Sequence, residues 1–220
     1  MKLTKLTLAL VAVLAMSAMM ASAASANYQS SSSPVDLSGS QNGKHAFKVD
    51  GQAVECNVAN FARKALSTPA SEVQNIVANY ANCTAFGFAN ASVTMGTCTY
   101  NFDTVNGIWN FNANIDIACT SNANDNEGVN TGDARIFSSV FGSECEVHVE
   151  SQNNKSELTF LNNTPVSGDV RVVAAVTGLT AQISKDNGVC PLAGTGVTNT
   201  ATYNGNTDVT GDSSINLTVN

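Results

Sequence analysis

Apolar residues recur at every second position along most of the chain. Trp109, Phe111, Ala113, Ile115, Ile117 and Cys119 alternate with Asn110, Asn112, Asn114, Asp116 and Ala118, the period of a strand that buries one face. Cys98, Tyr100 and Phe102 repeat the pattern, as do Ile215, Leu217 and Val219. Cys145, Val147 and Val149 repeat it again, which directs Glu144, Glu146, His148 and Glu150 towards solvent. Between Asp169 and Ile183, Val170, Val172, Ala174 and Val176 hold one parity while Val173 and Ala175 hold the other, so this segment reads as a central strand covered on both faces. Within Ser71 to Tyr80, Val73, Ile76, Val77 and Tyr80 fit a helix, whereas Ile76, Ala78 and Tyr80 fit a strand equally well.

Turn-forming residues punctuate these runs at Asn106-Gly107, Asn126 to Gly132, Asn162 to Gly168, Asp186 to Gly188 and Asn204-Gly205. The 27 asparagines of the chain suit so many turns. The expected fold is all-β, an antiparallel β-sandwich or short barrel forming a single domain from Lys44 to Asn220. Asn27 to Gly43 is Ser-rich with little to bury, and reads as a flexible leader. A two-residue turn at Asn106-Gly107 would set Phe102 opposite Phe111, Tyr100 opposite Ala113 and Cys98 opposite Ile115. Cys119 would then face Thr94, about 13 Å from Cys98 at the usual rise per residue. A Cys98–Cys119 bond therefore requires the turn to move towards Ile108 and Trp109.

The N-terminus adds an address. Lys2 and Lys5 precede an apolar run from Leu6 to Met16, and two small-residue sites follow, Ala21-Ser22-Ala23 and Ala24-Ser25-Ala26. This is the order of a secretory signal peptide, residues 1–26, with cleavage favoured after Ala26. The apolar run is too short for a hydrocarbon core that takes about 20 residues, so no membrane span is expected after signal removal. A membrane β-barrel is the architectural rival, but six cysteines and 14 aromatic residues, none of them near the C-terminus to form a girdle, argue against it.

All six cysteines, Cys56, Cys83, Cys98, Cys119, Cys145 and Cys190, lie beyond the signal, and an even count in an exported chain reads as disulfides. The shortest spacing, 15 residues from Cys83 to Cys98, is unlike a zinc site. The expected pairs are Cys56 with Cys83 and Cys145 with Cys190, leaving Cys98 with Cys119 by elimination and against the register above. With 10 Lys and Arg against 17 Asp and Glu, and a net charge of -7, there is no basic surface for a nucleic acid.

The run Tyr80-Ala81-Asn82-Cys83-Thr84-Ala85-Phe86-Gly87-Phe88, followed by Cys98-Thr99-Tyr100-Asn101-Phe102 and Ile115-Asp116-Ile117-Ala118-Cys119, resembles a group of uncharacterised exported bacterial proteins. Their pattern runs Y-x-x-C-T-A-F-G, then G-C-T-Y-x-F, then V-D-x-x-C. Val54-Glu55-Cys56 and Gly142-Ser143-Glu144-Cys145-Glu146-Val147 are similar too, and the departure is Thr97 in place of the Gly before the Cys. The resemblance implies an exported, all-β, disulfide-containing protein and brings no activity with it.

Candidate chemistry is sparse. The only histidines are His45, which opens the body without a motif, and His148, read as exposed beside carboxylates that favour its proton. Asn122 to Gly128 looks like a calcium loop, but its glycine comes one residue late and Asp133 stands at position twelve, so a solvated turn fits better. Phe86 and Phe88 could stack on a sugar, yet beside a bridged cysteine they read as core. No catalytic residue, cofactor or metal is expected. The function expected is that of a secreted, extracellular or periplasmic non-enzymatic β protein, with an extracellular protein or glycan as partner. The alternatives are a self-assembling surface subunit, through an uncharged Ile215 to Asn220 edge, and a secreted hydrolase.

Overall fold

The alternation becomes strand throughout the computed structural model, which describes residues 26–104, 112–120, 132–140, 143–185, 190–192 and 195–219. The first seven strands are β1 (Ala26–Ser30), β2 (Val35–Gln41), β3 (His45–Val49), β4 (Gln52–Leu66), β5 (Glu72–Ala85), β6 (Ala89–Thr94) and β7 (Thr99–Thr104). They are followed by β8 (Asn112–Ala118), β9 (Ala134–Val140), β10 (Ser143–Val149), β11 (Gln152–Asn162), β12 (Val170–Lys185), β13 (Gly196–Gly211) and β14 (Ile215–Val219). All pair antiparallel, and the even segment Ser71 to Tyr80 resolves as strand, within β5. The signal residues before Ala26, the Asn106-Gly107 pair and the Asn122 to Gly128 loop lie outside the described residues.

Twelve strands form one sheet, and that sheet closes on itself. The path β4–β5–β7–β8–β11–β12–β13–β2 returns to β4, and so does β4–β5–β6–β9–β10–β12–β13–β3. The long strands β4, β5, β12 and β13 thus run through both circuits, while β2 and β3 share the space between β13 and β4. Each circuit has the eight staves at which a barrel interior is just wide enough for side chains or one small ligand. Each of the twelve has a partner on both edges. β1 and β14 form a separate two-stranded sheet, from which Tyr28 and Ile215 join the buried core. The Tyr28 ring meets Phe160 edge-on at 5.6 Å.

Several expectations are corrected by this arrangement, and one of them is a turn: Asn204-Gly205 lies inside β13, with Gly205 buried. The leader predicted from Asn27 to Gly43 instead holds β1 and β2, with Tyr28 and Val35 buried. A strand hydrogen-bonded on both edges needs few large side chains, and the small residues of β2 let it run close between β4 and β13. In the β7–β8 hairpin Phe102 faces Ile115 and Tyr100 faces Ile117, a register four residues away from the one set by Asn106-Gly107. The shift is even, so the buried face is unchanged, and it brings Cys98 and Cys119 together. β12 is covered on one face only, since Ala175 is exposed. Its ladder slips between Val176 and Leu179, where Gly178 takes a φ of 63°, so that both apolar side chains turn inward. The corrections to His148 and to Phe88, which was expected in the core, belong to the side-chain clusters below.

The disulfides are Cys56–Cys83, Cys98–Cys119 and Cys145–Cys190. Cys56 and Cys83 lie directly opposite each other on β4 and β5, with their Cα atoms 4.0 Å apart.

Candidate functional site

The closed ladder turns four polar aromatic side chains towards one another inside the protein: His45 from β3, Tyr80 from β5, Tyr100 from β7 and Tyr203 from β13. His45 is 3 % exposed, and burial lowers its pKa below the ordinary histidine value despite the hydrogen bond to the Asn206 carbonyl. The neutral ring must therefore place its proton on Nε2, because the Asn206 carbonyl, 3.0 Å away, can only accept. Nδ1 then accepts from the Tyr203 hydroxyl at 2.5 Å. The order propagates: Tyr80 donates to Tyr203 at 2.9 Å, and Tyr100 donates to Tyr80 at 3.0 Å. Burial pushes all three phenols above their ordinary value, so they stay protonated. The layer is a satisfied hydrogen-bond chain with every proton committed.

Room for this layer comes from Gly205. A Cβ there would lie 2.3 Å from His45 Nδ1, so only glycine lets the ring in. Phe61 of β4 packs against His45 and meets Tyr80 edge-on at 5.9 Å.

Two cavities flank the layer, and His45, Tyr100, Tyr203 and Ile115 line both. The larger, of about 90 Å³, is walled chiefly by apolar side chains such as Val35, Leu158, Phe160 and Val172. The smaller is about 60 Å³, between Phe47, Tyr80, Ile136 and Val176. Tyr28 lines the larger cavity, and its fully buried hydroxyl is an exception to polar satisfaction: the residue is 7 % exposed, and its oxygen has no hydrogen-bond partner among the described residues. Burial, with Asp103 nearby, pushes this phenol far up, so it remains an O–H donor without an acceptor. Arg63 lines the same cavity; its Nη1 donates to the Lys64 carbonyl, while its buried Nε donates to nothing among the described residues.

The remaining sequence candidates fall elsewhere. His148, expected to be exposed and proton-rich, is 4 % exposed, and its pKa lies below the ordinary value. Burial is the first cause and Arg135, directly opposite on β9, the second; Asp133 and Glu150 oppose them. Its Nε2 lies 3.0 Å from Glu146 Oε1, and Glu146 also pairs with Arg135. Phe86 is half-buried against Ala89 and the Cys145–Cys190 bridge, whereas Phe88 is 62 % exposed, and their centroids are 6.4 Å apart. All six cysteines are bonded, so none offers a thiolate. Among the described residues no three His, Cys, Asp or Glu side chains converge as a metal site, and no helix is long and apolar enough to cross a membrane.

Of these residues, His45 was visible in the sequence without a role, and Tyr80 and Tyr100 were legible on inward parities. Tyr203 was not, because Asn204-Gly205 beside it reads as a turn but lies inside β13; Tyr28 and Arg63 carried no signal, because the closure that brings them to one cavity joins residues far apart in the chain. Comparison with protein families, curated proteins and solved structures finds no match to this chain.

Proposed function

We propose that this is an exported, non-enzymatic binding protein that takes a small, largely apolar molecule into the interior of its closed sheet. The observation that carries the reading is the cavity of about 90 Å³ inside the closed sheet, walled chiefly by apolar side chains with His45, Tyr100 and Tyr203 among the few polar residues of its lining. Small-molecule sites have that make-up: an apolar wall with a few placed polar groups. Three disulfides suit an oxidising compartment, outside the cell or in the periplasm. The hydrogen-bond chain through His45 has no proton to spare for transfer, which favours binding over catalysis. The Asn-, Thr- and Ser-rich outer strand positions remain available to an extracellular protein or glycan.

The self-assembling subunit is the weaker reading, because every strand of the twelve-stranded sheet is paired on both edges. The test titrates residues 27–220 with two probes small enough for the cavity, xenon and propan-1-ol, and follows the thermal midpoint. A saturable rise with either supports the reading, and no rise with both overturns it. A separate panel of ester, peptide and glycoside substrates tests the non-enzymatic part. Turnover that is lost when His45 and His148 are both replaced by Gln would overturn it.

A further inference from the structure

We infer that the ligand of the larger cavity is a small hydrocarbon, of roughly three or four carbons, and that the cavity rejects an isostere carrying an oxygen acceptor. The inference rests on the binding reading above and adds the chemical class.

Volume sets the size. An apolar cavity of about 150 Å³ holds benzene, roughly 25 Å³ for each ring carbon. On that scale the larger cavity, of about 90 Å³, takes roughly three or four heavy atoms, and the smaller, of about 60 Å³, roughly two. The two cannot be joined by a longer chain without cost. Tyr100 and Tyr203 line both, so a ligand that lengthened from one into the other would displace them and break the hydrogen-bond chain through Tyr80.

Polarity sets the class. His45, Tyr100 and Tyr203 have their protons committed: His45 Nε2 donates to the Asn206 carbonyl, Tyr203 to His45 Nδ1 and Tyr100 to Tyr80. None is left for a ligand oxygen. Two donors of lining residues are unmet among the described residues, the Tyr28 hydroxyl and Arg63 Nε, but both atoms are buried without surface towards the cavity, and Asp103 lies near Tyr28. A carbonyl or ether oxygen entering the cavity would give up its hydration with no donor of the layer to replace it, and a carboxylate would lose far more. Around the ligand stand Val35, Leu158, Phe160, Val172 and Ile215, whose contacts favour carbon.

The experiment uses residues 26–220 with the three disulfides formed, and two gases of matched size, propane and dimethyl ether, which differ by a methylene exchanged for oxygen. Affinities come from NMR titration under known gas pressure at pH 7, following the methyl signals of Val172 and the ring signals of Phe160 to place the site. Propane is expected to saturate and to bind at least ten-fold more tightly than dimethyl ether. Benzene should not bind the parent but should bind Leu158→Ala, because Leu158 is 1 % exposed in the lining and its loss enlarges the cavity towards the size that holds benzene. If Leu158→Ala does not fold, Ala174→Val narrows the same cavity and should weaken propane several-fold. Dimethyl ether bound within ten-fold of propane, or xenon bound without propane, overturns the hydrocarbon while the binding cavity stands. Benzene bound by the parent, or propane unaffected by Ala174→Val, overturns the size limit that this cavity sets. Failure of both propane and xenon overturns the class and the binding reading together.

Discussion

At the scale of single residues the interior holds groups whose solvation has been exchanged for hydrogen bonds, and a few whose exchange is incomplete. The Tyr28 hydroxyl is buried without a partner. Tyr28→Phe removes the unmet donor and keeps the ring on Phe160, so the ligand-free protein should become more stable by about 1 kcal/mol. Urea unfolding reads this; a loss of stability would mean that the hydroxyl is satisfied. The histidines give a pH dependence with a definite sign. His45 and His148 both titrate below the ordinary value of 6.5 when folded, so the unfolded chain takes up protons first as the pH falls. Their contribution is complete above pH 6.5 and is lost as the pH falls below it. Asp103 and Asp133, raised chiefly by burial, act oppositely: they hold protons when folded that the unfolded chain has lost above 3.8, so they favour folding as the pH descends towards that value. The urea midpoint should therefore fall between pH 7 and about 5.5. With both histidines replaced by Gln that decline should vanish, and an unchanged decline would show that other groups cause it.

At the scale of the strand, what could be read from the chain was local. Alternation identified β8, β10 and β14, because a half-buried strand writes its period into adjacent residues. It misplaced His148, which lies between Arg135 of β9 and Gln182 of β12, neighbours that its own strand does not reveal. It missed β2, where backbone pairing on two edges replaces side-chain burial as the reason for order. It set the β7–β8 register from the Asn106-Gly107 dipeptide, whereas the Cys98–Cys119 bond and the Tyr100 and Phe102 contacts hold a register centred four positions further along in the sum of paired residue numbers. Bridging residues that already face each other, as Cys56 and Cys83 do, restricts the unfolded chain with little rearrangement of the folded one. For their separation of 27 residues the loop-entropy argument gives about 3.5 kcal/mol. Replacing both by Ala should lower stability by about that amount and leave the far-ultraviolet circular dichroism of a strand protein in place. A double variant as stable as the parent would show that β4 and β5 constrain each other without the bond.

At the scale of the molecule, closure decides both what the inside can hold and what the outside can join. An open sheet of so many Asn- and Thr-rich strands would present two long edges, each a template for another chain. Here the two circuits through β4, β5, β12 and β13 remove those edges; among the described residues, one-sided pairing persists in the β1–β14 sheet, where the other edge of β1 carries a single bridge, Tyr28 to Ala70. That pair also contributes Tyr28 and Ile215 to the lining of the larger cavity. One short element therefore governs both properties. With β1 in place, residues 26–220 should elute as a monomer whose position does not change with concentration. A chain beginning at Ser31 lacks β1, which leaves β14 unpaired on its β1 side and removes Tyr28 from the cavity. It should form concentration-dependent assemblies, and added peptide Ala26 to Ser30 should suppress them by restoring the pairing from Ala26 with Val219 to Ser30 with Ile215. Light scattering coupled to size exclusion reads both proteins. Association of the parent itself would restore the self-assembling subunit as the better reading, and a truncated chain that stayed monomeric would show that the closed sheet alone protects the molecule from edge pairing.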